Sequence, residues 1–151
     1  MFPIKTVLCP TDFSEPSREA LKIAGELASQ VGAGLLLVHV VPVLPALPDD
    51  PNYVFKVPEY ERLLHKDADE KLAHLVKQSS KSTTARAMVG HGDVADEIVR
   101  IVEMERADLI VIATHGTTGW RRFVFGSVAE KVVRLAKCPV LTIRNPQEEG
   151  T

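Results

Sequence analysis

Strand-like and helix-like patterns of apolar residues alternate along the chain. A parallel strand covered by helices on both faces is buried throughout, so its sequence is a nearly unbroken apolar run. Five segments are predicted as strands: Ile4–Cys9, Leu35–Val41, Thr84–Val89, Leu109–Ala113 and Pro139–Ile143. The third segment alternates more than the others, with Arg86 between Ala85 and Ala87, and we therefore expect it at an edge of the sheet.

Four helices are predicted between these strands, because apolar residues recur there every three or four positions. These positions are Ala20, Ala24, Leu27, Ala28 and Val31; Leu64, Ala68, Leu72, Leu75 and Val76; Val94, Ile98, Ile101 and Val102; and Val128, Val132, Leu135 and Ala136. Ser14 is a favourable N-cap for the first helix, and Glu15 and Pro16 suit its first turn. Gly32 and Gly34 are expected to end that helix. Strands joined by helical crossovers predict a doubly wound parallel α/β sheet.

Length and composition indicate one globular domain over residues 1–151, with a polar tail at 144–151. Apolar residues make up 45% of the chain and charged residues 25%. The net charge of −2 argues against a nucleic-acid partner. No apolar run approaches the length of a membrane span, and the N-terminus does not resemble a signal peptide. We therefore expect a cytoplasmic protein without a membrane partner, in which Cys9 and Cys138 are reduced.

One connection, Pro42 to Pro58, is longer than an ordinary link between a strand and a helix. Prolines recur there at every third residue, which is the period of a polyproline II helix. A stiff, solvated connector explains this pattern. A mobile cover over the ligand site, or an arm that docks a partner, is the alternative, with Tyr53 and Phe55 as apolar cover.

The segment after the fourth strand has the pattern of an anion site. Ile110–Gly116 runs from an apolar strand into a loop, and Gly126-Ser127 follows nine residues later at the start of a helix. Small residues allow a ligand to approach the main chain, and a helix start offers free N–H donors. A phosphate group fits these properties. The spacing is not that of a P-loop.

Four motifs resemble the universal stress protein family over essentially the whole chain. They are Pro10-Thr11-Asp12 after the first strand, His39-Val40 in the second, Ala113-Thr114-His115-Gly116-x9-Gly126-Ser127 continuing through Val128-Ala129-Glu130-Lys131-Val132-Val133, and Cys138-Pro139-Val140-Leu141. This resemblance implies a Rossmann-like five-stranded sheet with strand order 3-2-1-4-5. It also implies a homodimer, and an ATP or AMP site in some members but not in others.

The chain departs from the nucleotide-binding motif of that family at its first glycine. The ATP-binding branch has Gly-x2-Gly-x9-Gly-[Ser/Thr], and Ala113 stands at the first position here. Its methyl group is expected where the main chain would approach adenine or ribose. Gly116, Gly126 and Ser127 match the pattern.

With strand order 3-2-1-4-5, the ligand crevice is expected between strands one and four, where the order reverses. The expected nucleotide-binding residues are Pro10, Thr11, Asp12, Val40, Ile112, Ala113, His115, Gly116, Gly119, Arg122, Gly126, Ser127 and Val128. The ligand would be ATP or AMP, and any magnesium would be held through its phosphates.

Several of these residues have a purely structural alternative. Asp12 suits a turn or cap as well as a contact to adenosine. Ser127 and Glu130 form the Ser-x-x-Glu pattern of a capping box, which competes with phosphate binding for the same groups. His115 and Arg122 are either solvated loop residues or donors to a phosphate.

Gly116 and Gly119 likewise serve a turn or a close ligand approach. Trp120 is interpreted as partly buried packing, with stacking or a partner surface as the alternative. Arg121, like Arg122, is either a solvated loop residue or a positive charge beside the phosphates.

Catalysis and metal binding find little support in the sequence. Ser127 has no neighbouring base, and His39 is interpreted as a hydrogen-bonded core residue. His65, His74 and His91 lack the spacing of zinc ligands.

Three functions therefore remain open. They are a stress-response protein that binds ATP or AMP and acts as a nucleotide-dependent sensor or signalling module, a homodimeric interaction module without nucleotide, and a slow ATPase. The homodimer is expected to pair through Val140–Ile143, an apolar and uncharged edge strand.

Overall fold

The computed structural model describes residues 3–43, 57–115 and 126–144. Its strands are β1 Thr6–Pro10, β2 Gly34–Val41, β3 Ala85–His91, β4 Leu109–Ala113 and β5 Val140–Ile143. Its helices are α1 Glu15–Val31, α2 Val57–Ser79, α3 Val94–Glu105 and α4 Ser127–Leu135. Three further segments lie outside the described residues: residues 44–56 of the connection from Pro42 to Pro58, the loop 116–125 and the tail 145–151. The expectations for these segments stay predictions.

The strands form one parallel sheet in the order β3-β2-β1-β4-β5. The predicted fold class and strand order are confirmed, and the more alternating third strand lies at an edge as expected. β1 begins two residues later than predicted, at Thr6. Lys5 and Thr6 instead donate their main-chain N–H groups to the carboxylate of Asp108, which ties the start of β1 to the turn before β4.

Helices cover the sheet on both faces, and strand residues alternate between two apolar layers. One layer lies under α1 and α2 and contains Val7, Cys9, Leu35, Leu37 and Val111, all of them buried. The other lies under α3 and α4 and contains Leu8, Leu36, Val38, Ile110 and Ile112. Burial on both faces explains why these strands are continuous apolar runs in the sequence.

Local capping chemistry sets the ends of α1. The hydroxyl of Ser14 accepts a hydrogen bond from the N–H of Ser17, and Gly32 ends the helix with φ of 70°. Both predictions are confirmed. Gly34 does not end the helix but begins β2, because Ala33 already turns the chain by donating to the carbonyl of Ala28.

Both cysteines carry free thiols. Cys9 is fully buried, and burial raises the pKa of its thiol to about 12. Cys138 is half-buried, and burial likewise raises the pKa of its thiol. Within the described residues, no helix has both the length and the apolar character needed to span a membrane.

Candidate functional site

A crevice of about 310 Å³ opens at the carboxyl edge of the sheet, where β1 and β4 diverge. Every predicted site residue that the structure describes lines it: Pro10, Thr11, Asp12, Val40, Ile112, Ala113, His115, Gly126, Ser127 and Val128. Gly116, Gly119 and Arg122 lie outside the described residues, as do Trp120 and Arg121. The reversal of strand order therefore brings together residues that are more than 100 positions apart in sequence.

One wall of the crevice is apolar. It combines Val38 and Ile112 from the sheet with Val94 and Ile98 from α3 and Val128 from α4. Val94 and Ile98 were predicted only as apolar positions of the third helix and were not among the expected site residues. Their helical periodicity indicates only that they face the sheet. The packing of α3 beside the carboxyl ends of the strands is what brings them to the crevice.

The opposite side of the crevice is polar and closely hydrogen-bonded. The buried hydroxyl of Thr11 lies 3.0 Å from the hydroxyl of Ser17 and accepts the N–H of Phe13 at 3.0 Å. The N–H of Thr11 donates to the carbonyl of Val38, which joins the loop after β1 to β2. Ser17 and Thr114 line the crevice but were not predicted, since a single Ser or Thr has no distinctive spacing.

Asp12 has the turn geometry that was one of its two predicted roles. Its Oδ1 atom accepts the main-chain N–H of Ser14 at 3.0 Å and also the Ser14 hydroxyl. The same Ser14 caps α1, so Asp12 supports the helix start. The Asp12 side chain is exposed at the mouth of the crevice.

The start of α4 differs from the capping box predicted for Ser127 and Glu130. Gly126 occupies the N-cap position, and no side chain caps this helix. Ser127 is the first helical residue and is exposed. The capping-box interpretation is therefore wrong, because a serine inside the helix cannot play the part of the residue before it.

His39 and His115 are both engaged in the fold. The Nδ1–H of His39 donates to the carbonyl of Thr11 at 2.7 Å, and its half-buried ring lies against Phe13 with centroids 4.5 Å apart. This agrees with the predicted role of a hydrogen-bonded packing residue. His115 is 9% exposed, so its interpretation as an exposed loop residue is wrong.

The methyl group of Ala113 does not share the face of the apolar wall. Alternation along β4 places Ala113 with Leu109 and Val111, and it packs against the layer under α1 and α2. Ile112 points into the other layer, on the side of the crevice wall. The departure from glycine at position 113 therefore adds bulk mainly to the opposite face of the sheet.

An ionic contact joins the two helices beside the crevice. The Nζ atom of Lys131 on α4 lies 3.0 Å from Oδ1 of Asp93 and 3.1 Å from Oδ1 of Asp96. Asp93 caps α3 by accepting the N–H of Asp96. That hydrogen bond, followed by the one from Lys131, holds the pKa of Asp93 below its usual value, and the two carboxylates raise the pKa of Lys131.

In the three ranges that the structure describes, no group of three or more His, Cys, Asp or Glu residues is placed to hold a metal ion.

Comparison with known proteins agrees with the fold. A sequence model described as the universal stress protein family matches residues 3–144. The chain is 35% identical to universal stress protein MJ0531 of Methanocaldococcus jannaschii over 148 residues, covering 96% of this chain and 85% of that protein.

Two solved structures share the fold. The structure of MJ0577, from the same organism, has a TM-score of 0.82 at 27% identity, covering 94% of this chain and 96% of the other. The Archaeoglobus fulgidus universal stress protein in complex with dAMP has a TM-score of 0.66 at 24% identity, covering 95% and 99%.

Proposed function

The chain belongs to the universal stress protein family, and from this premise we propose that it binds an adenine nucleotide, ATP or AMP, in the crevice between β1 and β4. The observation on which this rests is the meeting of two surfaces in one cavity. An apolar wall suits a flat base, and the uncapped start of α4 suits an anion. The dAMP complex of the Archaeoglobus fulgidus protein supports an adenine nucleotide as the class of ligand.

In this arrangement the adenine ring lies against Val38, Val40 and Ile112. The phosphates then point towards Gly126 and Ser127, where free N–H groups and the positive end of the helix dipole favour negative charge. Any magnesium is bound through those phosphates. The exposed carboxylate of Asp12 at the mouth of the crevice faces the sugar.

The cellular role that follows is a sensor or signalling module whose state depends on nucleotide occupancy. We place it in the cytoplasm as a homodimer, paired through β5 at the free edge of the sheet. The sequence places no base next to Ser127, so we propose binding as the function, without catalysis. A homodimeric interaction module without nucleotide is the rival, and hydrolysis of ATP is a further one.

Titration calorimetry with ATP and AMP tests the proposal through Ser127, which is exposed and makes no capping hydrogen bond. Ser127→Glu puts a negative charge where the phosphates are expected, but an acidic residue in the first turn favours the helix itself. We expect about tenfold weaker nucleotide binding, equivalent to about 1.4 kcal/mol, with an unchanged or higher Tm.

Ser127→Gln is the matched control, since it has nearly the same size without the charge, and its affinity should stay close to that of the wild type. Equal affinity in all three proteins would place the phosphates elsewhere. No binding to the wild type at millimolar nucleotide would favour the interaction module. Mass spectrometry of the denatured protein would reveal any nucleotide retained through purification.

A further inference from the structure

The turn between β1 and α1 contains a residue in an unusual main-chain conformation. Phe13 has φ of 64°, in the left-handed region that glycine adopts freely and that other L-residues enter at a steric cost. The turn follows directly after Thr11 and Asp12, which line the crevice, and directly precedes Ser14, which caps α1. Phe13 therefore lies, in a sterically unfavourable conformation, between the residues that line the crevice and the start of α1.

Contacts of the Phe13 ring offset this cost. The ring lies against His39 of β2 with centroids 4.5 Å apart, and the Nζ atom of Lys71 on α2 lies 5.2 Å from its centroid. The ring also packs on the apolar layer under α1 and α2. Two elements that are distant in sequence therefore hold the ring in place.

The main chain of the turn is held by matching hydrogen bonds. Phe13 donates its N–H to the hydroxyl of Thr11, and Ser14 donates its N–H to Asp12, each at 3.0 Å. The Nδ1–H of His39 donates to the Thr11 carbonyl at 2.7 Å. His39 therefore holds both the ring of Phe13 and the residue that begins the crevice loop.

We propose that Phe13 is a positioning residue for the crevice: its ring, seated against His39 and Lys71, keeps the turn in a left-handed conformation that directs Thr11 and Asp12 towards the ligand. Because the ligand is the nucleotide proposed above, this role rests on the proposed function for its effect on affinity. Its effect on the conformation of the turn is independent of any ligand.

Two substitutions separate strain from loss of packing. Phe13→Ala removes the ring contacts but keeps the steric cost of a positive φ, so the turn should leave this conformation. Phe13→Gly removes the same contacts together with the cost, so the turn can stay. At ordinary positions the main chain is better ordered with alanine than with glycine. Here we expect the opposite, with the turn better ordered in Phe13→Gly than in Phe13→Ala.

Amide hydrogen exchange in the full-length protein without ligand tests the conformational effect. The amides of Phe13 and Ser14 should exchange about tenfold faster in Phe13→Ala than in the wild type, because the ring contacts no longer offset the steric cost of the left-handed conformation. In Phe13→Gly the Ser14 amide should stay within about threefold of the wild type. Leu27→Ala, which removes bulk from the same apolar layer near the other end of α1, should leave both amides unchanged.

Calorimetry with AMP, at a temperature where every variant is folded, tests the effect on the crevice. Affinity should fall about tenfold in Phe13→Ala and less than threefold in Phe13→Gly. Equal exchange rates and equal affinities in the two variants would overturn the positioning role while leaving nucleotide binding intact. If the wild type binds no nucleotide, the proposed function fails, and hydrogen exchange alone decides the role of Phe13.

Discussion

The main-chain N–H of Gly126 donates to the carbonyl of Thr114, and a Cβ atom at Gly126 would lie 2.8 Å from that same oxygen. Real Cβ atoms essentially never approach so closely, and the obstacle is main chain that cannot rotate away. The protein itself therefore requires glycine here, whether or not a ligand also needs the space. This contact joins the end of β4 to the start of α4 on the floor of the crevice.

Gly126→Ala should consequently destabilise the fold as well as weaken nucleotide binding. We expect a loss of about 1–3 kcal/mol, the usual range for forced overpacking, measured by urea denaturation without ligand. Gly25→Ala is the control, because a Cβ there meets nothing within 4 Å and alanine is favoured in a helix by about 0.8–1 kcal/mol. Unchanged stability in Gly126→Ala would contradict the steric argument.

Ala113→Gly should lower the stability of the fold and leave the affinity for nucleotide nearly unchanged. The Ala113 methyl packs on the layer under α1 and α2, so its removal loses packing and adds main-chain freedom. We expect about 0.5–1 kcal/mol of destabilisation, with nucleotide affinity within about twofold of the wild type. Calorimetry and denaturation on the same samples measure both quantities. Clearly tighter binding in Ala113→Gly would mean that the methyl obstructs the crevice after all.

The free edge of β5 provides a sharp test of dimerisation. The carbonyls of Pro139 and Ile143 accept hydrogen bonds from the N–H groups of Ile110 in β4 and of Thr114 just after it. By alternation the N–H of Leu141 also faces β4, and the N–H groups of Val140 and Thr142 face outward. Thr142→Pro should therefore remove an outward donor and dissociate the proposed dimer, with little effect on the sheet itself. Sedimentation velocity at tens of micromolar measures the mass.

Leu141→Pro is the matched control, because its N–H faces β4 and its loss should destabilise the monomer. The side chain of Leu141 on this edge is exposed, as are those of Val133 and Leu135 on α4, the helix that precedes β5. All three are candidates for burial in the proposed pair. A wild-type protein that sediments as a monomer at this concentration would rule out the interface.

Stability should depend on the ionisation of Asp93 in acid. The N–H of Asp96 and the ammonium of Lys131 lower the pKa of this carboxyl below the ordinary value of 3.8. A lowered pKa means that the folded state favours the carboxylate, so the stabilisation is complete above pH 3.8 and is lost as the pH falls through the lowered value.

Asp93→Asn keeps a good cap but cannot ionise. The difference in urea midpoint between the wild type and this variant should therefore be larger at pH 7 than at pH 2.5, a value chosen at roughly the bottom of the carboxylate range. The same difference at both pH values would show that the charge of Asp93 contributes nothing to stability.

Much of the fold was predictable because it depends on local patterns. Continuous apolar runs identified the strands, since burial on both faces leaves no place for polar residues. Ser14 and Gly32 identified the ends of α1, since capping needs only groups that are close in sequence. The position of the crevice followed from the strand order that the family resemblance implied, combined with two strand ends.

The details of the site were decided by tertiary structure. The sequence alone could not show that Val94 and Ile98 border the crevice, that the Ala113 methyl points to the other face, or that Thr114 excludes any side chain at position 126. Each depends on which atoms of distant segments meet when helices pack on the sheet. The left-handed Phe13 is the clearest example, because its local preference opposes the conformation and contacts from β2 and α2 hold it there.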